Sequence, residues 1–201
     1  MTPPATLHLA TEPAMTPAAE RILTAAGTLF YTHGIRAVGV ESIAEAAGTT
    51  KKTIYDRFGS KDGLIVAYLH RRSLRWRTLV LDFISDRAPG EEQAIAIFDA
   101  TDEWMASWGR GCGFINAYAE LGGTDHPGVA IIVDEKTWIR ELFEYICVAG
   151  GYPDPGHLAG QLTLLHEGSI VVRTAGAQND ASAIARQTAQ MLLSADDRMT
   201  A

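Results

Sequence analysis

Apolar positions along this 201-residue chain recur at helical spacing, with no stretch that alternates like a half-buried strand. The first stripe is Ile22, Ala25, Ala26, Leu29, Phe30 and His33. Thr16-Pro17 opens it, with a hydroxyl at the N-cap and proline where a missing N–H is harmless, and Gly34 stops it. A shorter stripe, Val40, Ile43, Ala44 and Ala47, ends at Gly48. Thr50 is then placed as the N-cap of a third helix, in which Ile54 and Phe58 fall four apart before Gly59 breaks it. Ser60 caps a longer helix over 61–85. After APG at 88–90, the pattern predicts a helix over 91–108 with Ile97, Thr101, Trp104, Met105 and Trp108 on one side. GRGCGF at 109–114 reads as a turn, followed by a brief helix over 116–121. Pro127 starts a longer helix to about residue 149, GGYPDPG at 150–156 breaks the chain, and two helices follow over 157–174 and 180–194. No repeat is present, and the fold class expected is all-α.

Charge changes this picture more than composition does. The chain carries a formal net charge of -7, is 47% apolar and 20% charged, and fits one large domain or two small ones. From Thr16 to Arg87 there are eleven Lys/Arg against seven Asp/Glu; from Ala88 onward there are six against sixteen. A basic N-terminal third on an acidic remainder marks the first part as the candidate for nucleic acid. Cys112 and Cys147 have neither the spacing of a metal site nor the density of a disulfide scaffold, so the reading is cytoplasmic, with no metal and no cofactor. No apolar run has the length of a membrane span. Residues 1–15, MTPPATLHLATEPAM, hold three prolines and no basic n-region; they read as a disordered tail, with Met15 a candidate translation start.

The basic third has a specific organisation. Two short helices joined by a turn containing Gly48 match a helix-turn-helix, whose second helix enters the DNA major groove N-terminal residues first. Ile54 and Phe58 would anchor that helix, leaving Lys51, Lys52, Thr53, Tyr55 and Arg57 outside. Lys51, Lys52 and Thr53 suit base edges or phosphates, and the Tyr55 hydroxyl suits a phosphate oxygen. Lys61 stands at a helix start, where backbone N–H groups also favour an anion. Asp56 would repel phosphate, so it is expected to point sideways or to accept from a cytosine amino group. The plainer reading of TTKKTIYDRFGSK at 49–61 is a solvated helix face.

The run GVESIAEAAGTTKKTIYDRFGSKDGLIVAYL, residues 39–69, resembles the DNA-binding region of the tetracycline-repressor (TetR) family of bacterial regulators. IAEAAG, the following Thr-Thr-Lys and the Tyr55–Phe58–Lys61 spacing carry the resemblance, which spans about 17–69. It implies an all-helical homodimer with an N-terminal three-helix DNA-binding domain at 16–60. Residues 61–201 would serve ligand binding and dimerisation. It also implies Lys51, Lys52, Thr53, Tyr55 and Lys61 as DNA contacts, with Thr49 and Thr50 nearby. Lys52 stands where the family often has a small residue or proline, so base preference is not inherited. GCGFINAYAE at 111–120 further resembles a subgroup pattern of these regulators.

In the acidic remainder, Leu164, Gly168, Val171, Val172 and Ala175 on one helix and Ile184, Thr188, Met191 and Leu192 on the next read either as core or as a four-helix dimer interface. Two recognition helices roughly 34 Å apart would read half-sites one DNA turn apart. Trp104, Trp108, Phe114, Asn116, Tyr118, Trp138 and His166 are candidate ligand-lining residues, with Phe143 beside them and Glu120 and Arg173 as further polar anchors. The same aromatics also suit an ordinary core. Cys112 reads as a structural thiol more readily than as a sensor, and His126 and His166 form no metal-ligand pair. The function expected is a ligand-responsive repressor, released from a palindromic double-stranded DNA operator by a small-molecule effector. A helical interaction module without DNA binding, or an activator of the same fold, stays open. Without a nucleophile–base pair or a metal, the chain does not read as an enzyme.

Overall fold

The computed structural model describes residues 14–106 and 109–197. Residues 1–13 of the expected tail and Trp108 lie outside them. The described residues form nine α-helices and no strand, in two compact units.

The first unit joins residues 14–75 to 112–135. It contains α1 (Pro17–His33), α2 (Val40–Ala46), α3 (Lys51–Phe58), α4 (Lys61–Ile84) as far as Arg75, α6 (Gly113–Leu121) and the start of α7 (Gly128–Gly150). Local chemistry sets the helix starts. Thr16 accepts from the Ala19 N–H at 3.3 Å ahead of Pro17, Thr50 from Thr53 at 3.2 Å, and Ser60 from Gly63 at 2.9 Å. One core fills the unit: Ile22, Leu23 and Phe30 of α1, Ile43 of α2, Ile54 of α3, Leu64 and Leu69 of α4, and Phe114 and Leu121 of α6. Packing therefore divides the chain elsewhere than after residue 60. Residues of α4 and α6 share one core with the three short helices.

Two helices begin earlier than their sequence pattern. α6 starts at Gly113, not residue 116, because burial of Phe114 and Ala117 outweighs the low helix propensity of the glycines. α8 (Pro155–Thr174) starts two residues before His157, since Asp154 caps it by accepting from the His157 N–H and Pro155 fits the first helical position.

The second unit takes in residues 76–111 and those from 136 onward: the rest of α4 and α7, α5 (Glu91–Ala106), α8 and α9 (Ala181–Asp197). Phe98, Trp138, Phe143, Ile146, Leu162 and Leu193 are fully buried or nearly so. On α9, Ala181, Ala185 and Ala189 repeat every four residues on the buried side, which lets α9 lie close against its neighbours α5 and α8.

A polar chain crosses this core. The Thr101 hydroxyl donates to the Ile97 carbonyl at 2.7 Å, so it accepts from His166 Nε2 at 2.9 Å. His166 Nδ1 lies 3.6 Å from Glu167, and Lys136 donates to both Glu167 oxygens at 2.7 Å. Burial works to raise the Glu167 carboxyl, but the adjacent His166 ring and the charge and hydrogen bonds of Lys136 outweigh it and bring it to about 2. With its folded value below the ordinary 4.5, the group's stabilisation is complete above that pH and is lost as pH falls towards 2. Between those limits the wild-type protein should lose on the order of 2–3 kcal/mol more stability than Glu167→Gln. Denaturant melts across that range measure the difference, and parallel losses would refute the linkage.

Candidate nucleic-acid interface

α1, α2 and α3 each contact the other two. Between α2 and α3, Gly48 takes a left-handed φ of 59°, and the Thr49 N–H returns to the Ala44 carbonyl at 2.9 Å. This tight reversal seats α3 with Ile54 fully buried and Phe58 half-buried on the same core. Lys51, Lys52, Tyr55, Asp56 and Arg57 face outward, with Tyr55 45% exposed. Thr49 and Thr53 are half-buried and Thr50 is exposed at the α3 cap, while Lys61 sits half-buried in the first turn of α4. The structure thus brings all seven expected DNA contacts to the α2–α3 turn, α3 and the turn that follows.

Sequence reasoning missed how the lysines are held. Lys51 pairs with Glu41 in the first turn of α2. Lys52 pairs with Asp56 one turn along at 2.7 Å, which is where the Asp56 carboxylate goes. The Lys51 hydrogen bond, followed by the Glu41 backbone N–H, holds the Glu41 carboxyl below the usual range. Both pairs are exposed, so they compete weakly with phosphate. Helical periodicity carries no signal for the Glu41 contact, which is tertiary.

Two further groups brace the unit. Arg71, almost fully buried, donates to both Glu20 oxygens at 2.8 and 2.5 Å, and this hydrogen bond leads in keeping the Glu20 carboxyl low. Arg72 lies over the Tyr31 ring, 4.8 Å from its centroid. Glu120, expected as a pocket anchor, instead accepts from the Ile35 and Arg36 backbone N–H groups. This acceptor role was invisible in sequence because the contact spans 85 residues.

The expected ligand-lining residues are divided between the units. Trp104, Trp138 and His166 belong to the second, where Trp76, Phe98 and Phe143 surround the His166 ring at centroid distances of 6.0–6.2 Å. Trp104 adjoins them through Trp76 at 5.7 Å. The Trp138 indole N–H is buried with no acceptor among the described residues. Phe114 is instead part of the first unit's core, while Asn116 and the 47%-exposed Tyr118 are on its α6. Helical spacing reports burial but not which core receives the ring. Arg173, the other expected anchor, pairs with Asp102 at 2.7 Å.

Comparison with known proteins agrees with this geometry. A model described as "Bacterial regulatory proteins, tetR family" matches residues 22–68. A solved TetR transcriptional regulator of Streptomyces avermitilis is 31% identical, with a TM-score of 0.79 over 90% of this chain and 99% of that one. The chain belongs to the TetR family of bacterial regulators. A second TetR-family regulator, from Streptomyces coelicolor, is 26% identical with a TM-score of 0.83, covering 89% of this chain and 95% of its own. An uncharacterized helix-turn-helix transcriptional regulator of Mycobacterium tuberculosis is 37% identical over 81 residues, 40% of each chain. The match thus spans less than half the length of that curated relative. TetR-family proteins are transcriptional regulators rather than enzymes, and the matched residues 22–68, from α1 into α4, carry the family's helix-turn-helix domain. No helix among the described residues is long and apolar enough to cross a membrane.

Proposed function

We propose that this TetR-family protein is a cytoplasmic homodimeric repressor, released from a palindromic operator by a small-molecule effector. The observation that carries the reading is α3 itself, buried at Ile54 and outwardly polar from Lys51 to Arg57. In this reading Lys51, Lys52 and Thr53 address base edges or phosphates, while Tyr55, Lys61 and the Thr49–Thr50 turn address the backbone. The exposed apolar residues of α8 and α9 support the dimer: Leu164 is 76% and Met191 67% exposed, beside Val171, Val172 and Ile184. Trp104, Trp138 and His166 are the favoured effector-facing residues in the second unit, where the buried Trp138 indole N–H has no acceptor among the described residues.

An effector preferring the non-binding arrangement by about 1–3 kcal/mol weakens DNA binding about 5- to 150-fold. Selection of bound duplexes from a random pool, with and without a metabolite extract, tests the reading. A palindrome recovered only without extract supports it; recovery of no preferred sequence defeats it. Tyr55→Phe is expected to weaken binding to every sequence, whereas Lys52→Ala shifts base preference at one position, by about 1–3 kcal/mol of discrimination. Gel-shift titrations that show neither effect would remove these contact assignments.

A further inference from the structure

We propose that Glu120 is a positioning residue for DNA binding: its carboxylate fixes the turn from which α2, and through it α3, takes its direction. The proposal rests on reading α1–α3 as the DNA-binding part. α1 stops at His33, and the next two N–H groups beyond Gly34 converge on one side chain. Ile35 donates to Glu120 Oε1 at 2.9 Å and Arg36 to Oε2 at 2.6 Å. Consecutive backbone N–H groups aimed at one point make a concavity for an anion, and here the anion is supplied by the protein's own α6.

Gly34 completes the fit. Its φ of 93° suits glycine, and a Cβ there would lie 2.9 Å from Glu120 Oε1, inside van der Waals contact. On the turn's far side, Ile35 and Val38 are both buried in the core before Gly39 caps α2. On the other side, Phe114, Ala117 and Leu121 bury α6 in the same core. The carboxylate therefore connects a well-anchored helix to the six-residue turn that launches the helix-turn-helix. Both oxygens are used, one per donor, and bonds to a charged acceptor are the stronger kind.

A contact that only added stability would leave the folded protein's DNA affinity unchanged. A positioning contact, when removed, lowers affinity in the folded protein, yet leaves the number of neutralised phosphates alone. The test uses the duplex recovered from the random pool and full-length protein. Glu120→Gln keeps the size but offers one acceptor oxygen and turns an amide NH2 towards a backbone donor. Its expected signature is faster hydrogen exchange at Ile35 and Arg36, about tenfold weaker binding, and an unchanged dependence of log affinity on log salt. Glu120→Asp, one methylene shorter but still charged, should fall between Gln and wild type, and it serves if the Gln variant does not fold. Wild-type affinity in either folded variant overturns the proposal. Tyr55→Phe separates the failures: if it weakens binding while the Glu120 variants do not, only the positioning role is refuted. If none of them alters binding, the contact assignments on α3 fall together with the positioning role.

Discussion

Replacing Leu164 and Val171 with aspartate is expected to yield a folded monomer that no longer holds operator DNA. Both side chains point away from their own subunit's core, at 76% and 51% exposure, while Leu158, Leu162 and Ile170 face inward on the same helix. The substitutions therefore leave the internal packing of α8 intact. In a two-fold interface each carboxylate would meet its own symmetry-related patch, so the pair places four charges in one apolar contact. A single reading head then forgoes the avidity of two, about 10²–10⁴-fold. Sedimentation gives the mass and gel shift the affinity. A doubly substituted protein that stays dimeric would show that this face is not the interface.

The second large effect is at Ile54. Its side chain is fully buried, and its truncation leaves a cavity between α3 and the helices beneath. Ile54→Ala should cost about 2–5 kcal/mol, a large part of a typical total of about 5–15 kcal/mol. DNA binding should fall with it, because the recognition helix is no longer held by the packing that aims it. Lys52→Ala is the control: with a side chain 82% exposed, it should change stability by less than about 0.5 kcal/mol. Thermal melts of both variants decide the matter, and an Ile54→Ala protein as stable as wild type would contradict the packing described for α3.

The legible parts of this chain were those set by local chemistry. α1 and α3 start and stop, and α4 starts, where Thr16, Gly34, Thr50, Gly59 and Ser60 say they should, because caps and breakers act within one turn. The start of α6 escaped because Gly113 reads as a breaker until Phe114 is known to be buried, a tertiary fact. The outward face of α3 was legible because Ile54 and Phe58 fix the inward one. The Glu41–Lys51 pair and the Glu120 contacts were not, since 10 and 85 residues separate the partners and neither spacing has a helical signature. The aromatic set mixed two cores for a similar reason: Phe114 and Trp138 have equal apolar weight in sequence, and only the course of the chain assigns them to different units.

Salt titration of DNA binding tests most directly that the outer side of α3 lies along a duplex. If the dimer neutralises about six to ten phosphates, affinity should fall about 10³–10⁵-fold between 50 and 200 mM salt. Replacing Lys51 or Lys61 with alanine should flatten the log–log slope by about one for each phosphate that is no longer neutralised. Binding that ignores salt, or variants that keep the wild-type slope and affinity, would mean that these side chains never meet the phosphate backbone.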